Sequence, residues 1–495
     1  MLFEAAALLT ASLALVGVSG PVVVPEFSRA SVSVSISETT VSETVVSETV
    51  PARVSDRQSD LGASPAWSQV EAQSAAAIDI DVATLRTMTG SNLLVGMSHL
   101  AVADLKRFAA EYPTRIDTVL ATPPEATVVS AWWTLLDSTQ RAALTSETPR
   151  LVGNLDGVPL VERSRANERY LDESLAEAKR ALGSHSDAER SLASRQVAML
   201  SQVQLALKPS DGGPKRSLIL LDPSGSGRAA IALGNPDTAD YIGYLVPGMN
   251  YQVEPQMVNW TTVADDVYRE QRAVLAAHSK KPAASTTASL RRAVTPASAA
   301  DARLVAGYPD AAATTAKTVA TIAWIGYEAP DLFSVGGRDR AVAGANFLET
   351  SWAGVRASRG ADQPFISVFA HSYGSTVSLM ALANGSVQVD ALVVVGSPGS
   401  EIQSADKLKV ANGNVFVGKA DWDPAVSSAF FGSDPGASSY GARALGVDGG
   451  TDTVTGAWLD GSLGHNAYFE PGSESLHNMA LIGTDNADLA TDGDE

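Results

Sequence analysis

The sequence predicts an α/β protein, a mostly parallel sheet with flanking helices, preceded by an N-terminal helical region. Three observations carry that reading. After Pro214, short runs of β-branched and aromatic residues alternate with longer stretches of helical spacing, the pattern of parallel strands joined by crossover helices. Several of those runs lead into Gly- and Pro-rich loops, which places a functional site along the carboxyl edge of the sheet. Finally, residues 364–384 read as a buried strand, a tight turn and a helix, with Ser372 at the bend.

Composition narrows the function before any motif is read. The chain of 495 residues is too long for one ordinary core, whereas an α/β domain of about 250 residues with an added helical region accounts for it. Hydrophobic residues make up 45% and charged residues 18%, enough apolar material for a packed interior. The net charge of −19, without a long single-sign block, offers no phosphate-tracking patch and argues against nucleic acid. Without a cysteine, the chain has no disulfide, thiolate metal site or cysteine nucleophile. It also has no His-x-x-x-His and no G-x-G-x-x-G after a strand, so neither a metal nor a dinucleotide cofactor is expected.

In chain order, residues 1–65 read as a hydrophobic leader and a disordered low-complexity segment. The apolar run over 5–18 ends at Gly20-Pro21, and Ser-Glu-Thr recurs at Ser37, Ser42 and Ser47. The run favours export or membrane anchoring over a cytoplasmic location, although Glu4 stands where a signal peptide carries a positive charge. Residues 66–213 form the helical region, with apolar residues every three or four positions over 94–112, 131–144 and 163–182. Asp137 to Gln140 supply cap candidates, and Arg163, Arg165, Asn167 and Arg169 read as a solvated, ion-paired helix face. Residues 214–495 form the sheet domain, with strands over 217–221, 228–233, 240–246, 318–324, 365–369, 391–395 and 414–418. Long helices are expected over 259–278 and 339–359, and 280–305, rich in Ala, Ser, Thr and Pro, reads as a surface insertion.

The bend itself is Ala370-His371-Ser372-Tyr373-Gly374. A serine on a sharp strand-to-helix turn needs small residues two before and two after it, so that strand and helix can approach. Ala370 and Gly374 meet that demand, with a methyl where G-x-S-x-G has hydrogen. A serine hydroxyl becomes a nucleophile when a histidine accepts its proton and a carboxylate orients the imidazole, and on such folds the order is Ser, acid, His. Of the six histidines, only His465 and His477 follow the turn helix. His465 lies in a glycine-rich loop and is favoured over His477, which sits in a helical stretch with Leu476, Met479 and Ala480 facing inward. Asp421 and Asp423 directly follow the strand over 414–418. The Asp-Pro turn favours Asp423 as the orienting acid, with Asp421 as a cap or a support behind the site. His371 points away from its neighbour at a sharp turn and reads as packing, substrate contact or support behind the site. Oxyanion donors are sought in the Tyr373 amide and in Gly248 and Met249, after the strand over 240–246.

With these residues placed, the chain resembles an actinobacterial α/β-hydrolase family long catalogued as a domain of unknown function. The likeness runs from about Ala131 to Leu481. It rests on Trp132-Trp133 with Leu135, on 153–159 with Arg163 and Ala166-Asn167, on Val246-Pro247-Gly248 and on 324–330. Further on it rests on 371–375, on Gly396-Ser397-Pro398-Gly399, and on His465 to Tyr468 before Pro471-Gly472-Ser473. The resemblance implies the α/β-hydrolase fold and Ser372, Asp423 and His465 as the triad positions. It implies no particular substrate. Together with the residues it leads to a serine hydrolase cleaving a carboxylic ester or related acyl bond, on a small-molecule or lipid-like substrate, with membrane or envelope association through the N-terminal segment. The alternatives are an acyltransferase of the same fold and a non-catalytic envelope-associated binding protein on the same scaffold.

Overall fold

The computed structural model describes residues 65–76, 80–279, 317–426 and 428–493. The expected leader and its Ser-Glu-Thr repeat lie outside the described residues, as does the insertion expected over 280–305. Among the described residues, no helix is long and apolar enough to cross a membrane.

Eight strands form one sheet: β1 (Arg216–Asp222), β2 (Arg228–Leu233), β3 (Tyr241–Val246), β4 (Val319–Ile325), β5 (Phe365–His371), β6 (Ala391–Val395), β7 (Val415–Gly418) and β8 (Arg443–Ala444). Their spatial order is β1-β2-β4-β3-β5-β6-β7-β8. β2 runs antiparallel to both β1 and β4, and every other pair is parallel. This is the α/β-hydrolase fold. The strands are apolar on both faces because each face is covered. Ile242, Tyr244 and Val246 of β3 and Ile366, Val368 and Ala370 of β5 pack under the helices Asp339–Arg359 and Tyr373–Asn384. Leu245 and Phe369 point the other way, into a core shared with the helices Leu160–Ala181, Val253–Ser279 and Glu474–Ile482. A third cluster, built on Trp132, Trp133 and Phe108, is the core of the preceding helices. All of these elements belong to one compact unit, Pro65–Glu495.

Two expected helices are each divided. The stretch over 94–112 becomes Gly90–Ser98 and Val102–Glu111, and the stretch over 131–144 becomes Ala126–Leu135 and Ser138–Glu147. In the second case Asp137 and Gln140 close a reciprocal capping box, so the cap candidates open the helix Ser138–Glu147 and break the longer pattern in front of it.

The arginine-rich helix face is also not the solvated surface that its composition suggests. Arg165 and Arg169 are exposed and pair with Glu162 and Glu173, but Arg163 and Asn167 are buried. Arg163 pairs with Asp156 and donates through Nε to the Gly153 carbonyl at 3.0 Å. Their neighbours close the free edge of β1. Asn154 exchanges two bonds of 3.0 Å with the backbone of Leu221, while Ser164 accepts the Leu218 amide at 3.0 Å and Asn167 donates to the Leu218 carbonyl at 3.1 Å. Side-chain amides and a hydroxyl thus occupy the edge groups that a ninth strand would pair. Removing one partner leaves the other unsatisfied, at about 1–3 kcal/mol for a buried group. Asn154→Ala is therefore expected to destabilise the protein by about 2 kcal/mol in denaturant unfolding, and an unchanged midpoint would show that the joint is dispensable.

Candidate active site

Ser372 directly follows β5 and caps the helix Tyr373–Asn384 with φ 53° and ψ −130°. A non-glycine residue in that region is held there at a cost of roughly 1–3 kcal/mol by the surrounding structure. The contact responsible is the approach of the helix to the end of β3. A Cβ built on Gly374 would lie 2.4 Å from the carbonyl oxygens of both Val246 and Pro247, so only hydrogen fits. At Ala370 the methyl is accommodated. The residue lies in β5 between Val246 and Val394 and packs in the core under the helices, which explains the departure from glycine.

The structure brings Ser372, His465 and Asp423 together. Ser372 Oγ lies 2.8 Å from His465 Nε2, and His465 Nδ1 lies 2.9 Å from Asp423 Oδ1. With Nδ1–H donating to the carboxylate, Nε2 is the acceptor for the serine hydroxyl. Asp423 is set by the turn after β7 and its side chain is fully buried. The Ala425 amide donates to Oδ1 at 2.9 Å and the Tyr468 hydroxyl to Oδ2 at 2.7 Å. Burial works to raise the pKa of this carboxyl, yet the bonds from His465, Tyr468 and Ala425 hold it below the ordinary aspartate value. The group is a carboxylate under all but strongly acidic conditions. Tyr468 is the opposite case: burial, reinforced by the Asp423 charge, raises its pKa, so it stays a donor.

The remaining expected positions fall around this line. Tyr373 is the first residue of its helix, so its amide is one of those a helix leaves without an intrahelical partner. Gly248 stands against the serine: a Cβ there would meet Ser372 Cβ at 2.6 Å and Oγ at 3.0 Å. The loop through Gly248 and Met249 is held at both ends, by the Tyr327 hydroxyl on the Pro247 carbonyl at 2.7 Å and by the Asn250 amide on the Pro330 carbonyl at 2.9 Å. Asp421 has an exposed side chain, and its link to the site runs through the backbone, where its carbonyl accepts the Gly464 amide at 2.8 Å. His371 is buried, with its ring centroid 4.7 Å from that of His465. Its Nε2–H donates to the His465 carbonyl at 2.6 Å. Burial, and then the neighbouring His465, push its pKa down to about 3, so the ring is neutral and remains a donor to that carbonyl. Through that bond it supports the base loop.

Comparison with known proteins agrees with this architecture. Residues 222–291 and 281–433 match the family described as alpha/beta hydrolase, a span that holds Ser372 and Asp423 and stops before His465. The match and the sheet order agree on the α/β-hydrolase fold. An uncharacterized protein of Mycobacterium tuberculosis, Rv2079, is 28% identical over 442 residues, covering 78% of this chain and 60% of that protein. The uncharacterized protein Mb0988c of Mycobacterium bovis is 33% identical over 211 residues, covering 41% of this chain and 65% of its own length. The chain spans about 60% of the length of the first of these relatives.

Tyr468 is the functional neighbour that sequence reasoning left without a role, although it closes the motif running from His465. The signal was an aromatic hydroxyl three residues after the histidine, and nothing local shows that the hydroxyl reaches back to Asp423. His477, the other late histidine, is not brought to Ser372. Its Nδ1 lies 2.7 Å from Glu270 Oε1 and its Nε2 3.3 Å from Asp452 Oδ1. Burial alone would lower its pKa, but the two carboxylates outweigh burial and raise it. A folded-state pKa above the unfolded value contributes stability that is complete below about pH 6.5 and disappears as pH rises through the folded value. His477→Gln is expected to cost more stability at pH 6 than at pH 8.5 in denaturant melts, and equal losses at both would contradict the ion pairing.

Proposed function

We propose that the protein is a serine hydrolase that cleaves a carboxylic ester or related acyl bond through an acyl-enzyme. The observation that carries this reading is the continuous line from Ser372 Oγ through His465 to the buried Asp423, at 2.8 and 2.9 Å. In the proposed first half-reaction Ser372 Oγ bonds to the acyl carbon while its proton passes to His465 Nε2. Asp423 remains ionised and stabilises the imidazolium, and Tyr468 keeps the second carboxylate oxygen engaged. Charge on the former carbonyl oxygen is met by the Tyr373 amide and by amides of the Gly248-Met249 loop. The bond to the leaving oxygen then breaks, and that oxygen takes the proton from His465. In the second half water gives its proton to the same nitrogen, its oxygen bonds to the acyl carbon, and Ser372 leaves with the proton. The substrate is a small-molecule or lipid-like ester.

The test is a set of purified variants on a p-nitrophenyl ester. Ser372→Ala is expected to lose several powers of ten in kcat, on the order of 10⁶ where the triad acts as a unit, with its fold intact. Asp423→Asn is expected to lose about 10⁴ through the wrong histidine tautomer, and Asp421→Asn far less, because only its backbone touches the base loop. Wild-type rates from Ser372→Ala would overturn the reading, and a larger loss from Asp421→Asn would exchange the two carboxylates.

A further inference from the structure

Large apolar side chains left exposed forgo the gain of burial, and where they group around a site they mark a binding surface. Trp422 is 87% exposed and Leu463 66% exposed. Trp422 immediately precedes Asp423, and Leu463 stands two residues before His465. The two loops are zipped together by the bridge between Asp421 and Leu463 and by the Gly464 amide on the Asp421 carbonyl. Trp422 also has φ 62°, a left-handed conformation that bulky residues seldom adopt. Strain and exposure thus fall on one residue beside the acid, where packing offsets neither.

Phe333, at 96%, is more exposed than either. Its loop follows β4, and that loop holds the Asn250 amide through Pro330 and the Tyr373 hydroxyl through Gly337 at 2.9 Å. In the sheet, β4 and β7 lie on opposite sides of β5. Loops that carry exposed apolar side chains therefore lie on both sides of β5, on the side of the acid and base and on the side of the Gly248 loop. Exposed Phe347, in the helix Asp339–Arg359, differs in having the Arg228 guanidinium 3.9 Å over its ring.

We infer that Trp422, Leu463 and Phe333 form an apolar rim that holds the hydrocarbon part of the substrate, so that the preferred class is esters with a medium or long alkyl chain. This rests on the reading of Ser372 as the nucleophile, and it adds which substrates are selected and by which residues. A rim of this kind acts on kcat/KM in proportion to the methylenes it covers. A two-carbon chain is too short to reach it.

The test is the ratio of kcat/KM for p-nitrophenyl octanoate to that for p-nitrophenyl acetate, measured with the full chain. Trp422→Ala and Leu463→Ala are each expected to lower this ratio about tenfold, the lower end of what a methylene-sized apolar contact contributes to discrimination. Ratios within twofold of wild type in both variants would overturn the inference. A rate that jumps when the octanoate ester passes its solubility limit assigns the rim to a lipid surface, and a hyperbolic dependence assigns it to single chains. If the wild-type protein turns over neither ester, the nucleophile reading fails on its own. Calorimetric binding of decanoate then decides the rim: weaker binding by Trp422→Ala upholds it, and equal binding overturns it.

Discussion

A carboxylate with no access to water dictates how the loops at the carboxyl edge of this sheet are arranged. Burying such a charge is costly unless hydrogen bonds replace its hydration. Asp423 recovers them from its own turn, through the Ala425 amide, and from one later segment, through the His465 imidazole and the Tyr468 phenol. Tyr468 extends the arrangement, because its oxygen also accepts the Ala420 amide at 2.9 Å, tying the turn after β7 to the segment after His465. The base loop is held a second time from below, by the neutral ring of His371 on the His465 carbonyl. Ser372 and His371 are consecutive, so one sharp turn sends a hydroxyl toward His465 Nε2 and an imidazole toward its backbone.

That turn depends on a different constraint, the room available between β3 and the helix that follows β5. Gly374 lets the helix start against the Val246 and Pro247 carbonyls, and Gly248 lets the β3 loop lie against the serine. The site is therefore made of close approaches in which a single methyl group would collide, and Ala370 shows where one is tolerated. Its side chain points into a core that is already apolar.

Much of this was legible in the sequence. Seven of the eight sheet strands were marked by short β-branched runs and appear within a residue or two of their expected places, whereas β8, two residues long, carried no such run. Ser372, Asp423 and His465 were legible because chain order and loop context restrict which residues can meet at one sheet edge. What was not legible depended on long-range partners. The break before Ser138 required a reciprocal cap to outcompete continued helix. Arg163 and Asn167 look like surface residues until the edge of β1 arrives to be satisfied, and Tyr468 looks like core packing until Asp423 is placed beside it. In each case the residue type was visible, and its partner lay tens or hundreds of positions away.

The helices before β1 are thus joined to the sheet through hydrogen bonds as well as apolar packing, and Asn154 stands at that joint. The central claim nevertheless concerns one oxygen atom. It is tested most directly by treating the folded protein with a fluorophosphonate and mapping the modified peptide by mass spectrometry. One adduct, on Ser372, is expected with the native protein and none after denaturation. No adduct, or an adduct on another serine with Ser372 unmodified, would contradict it.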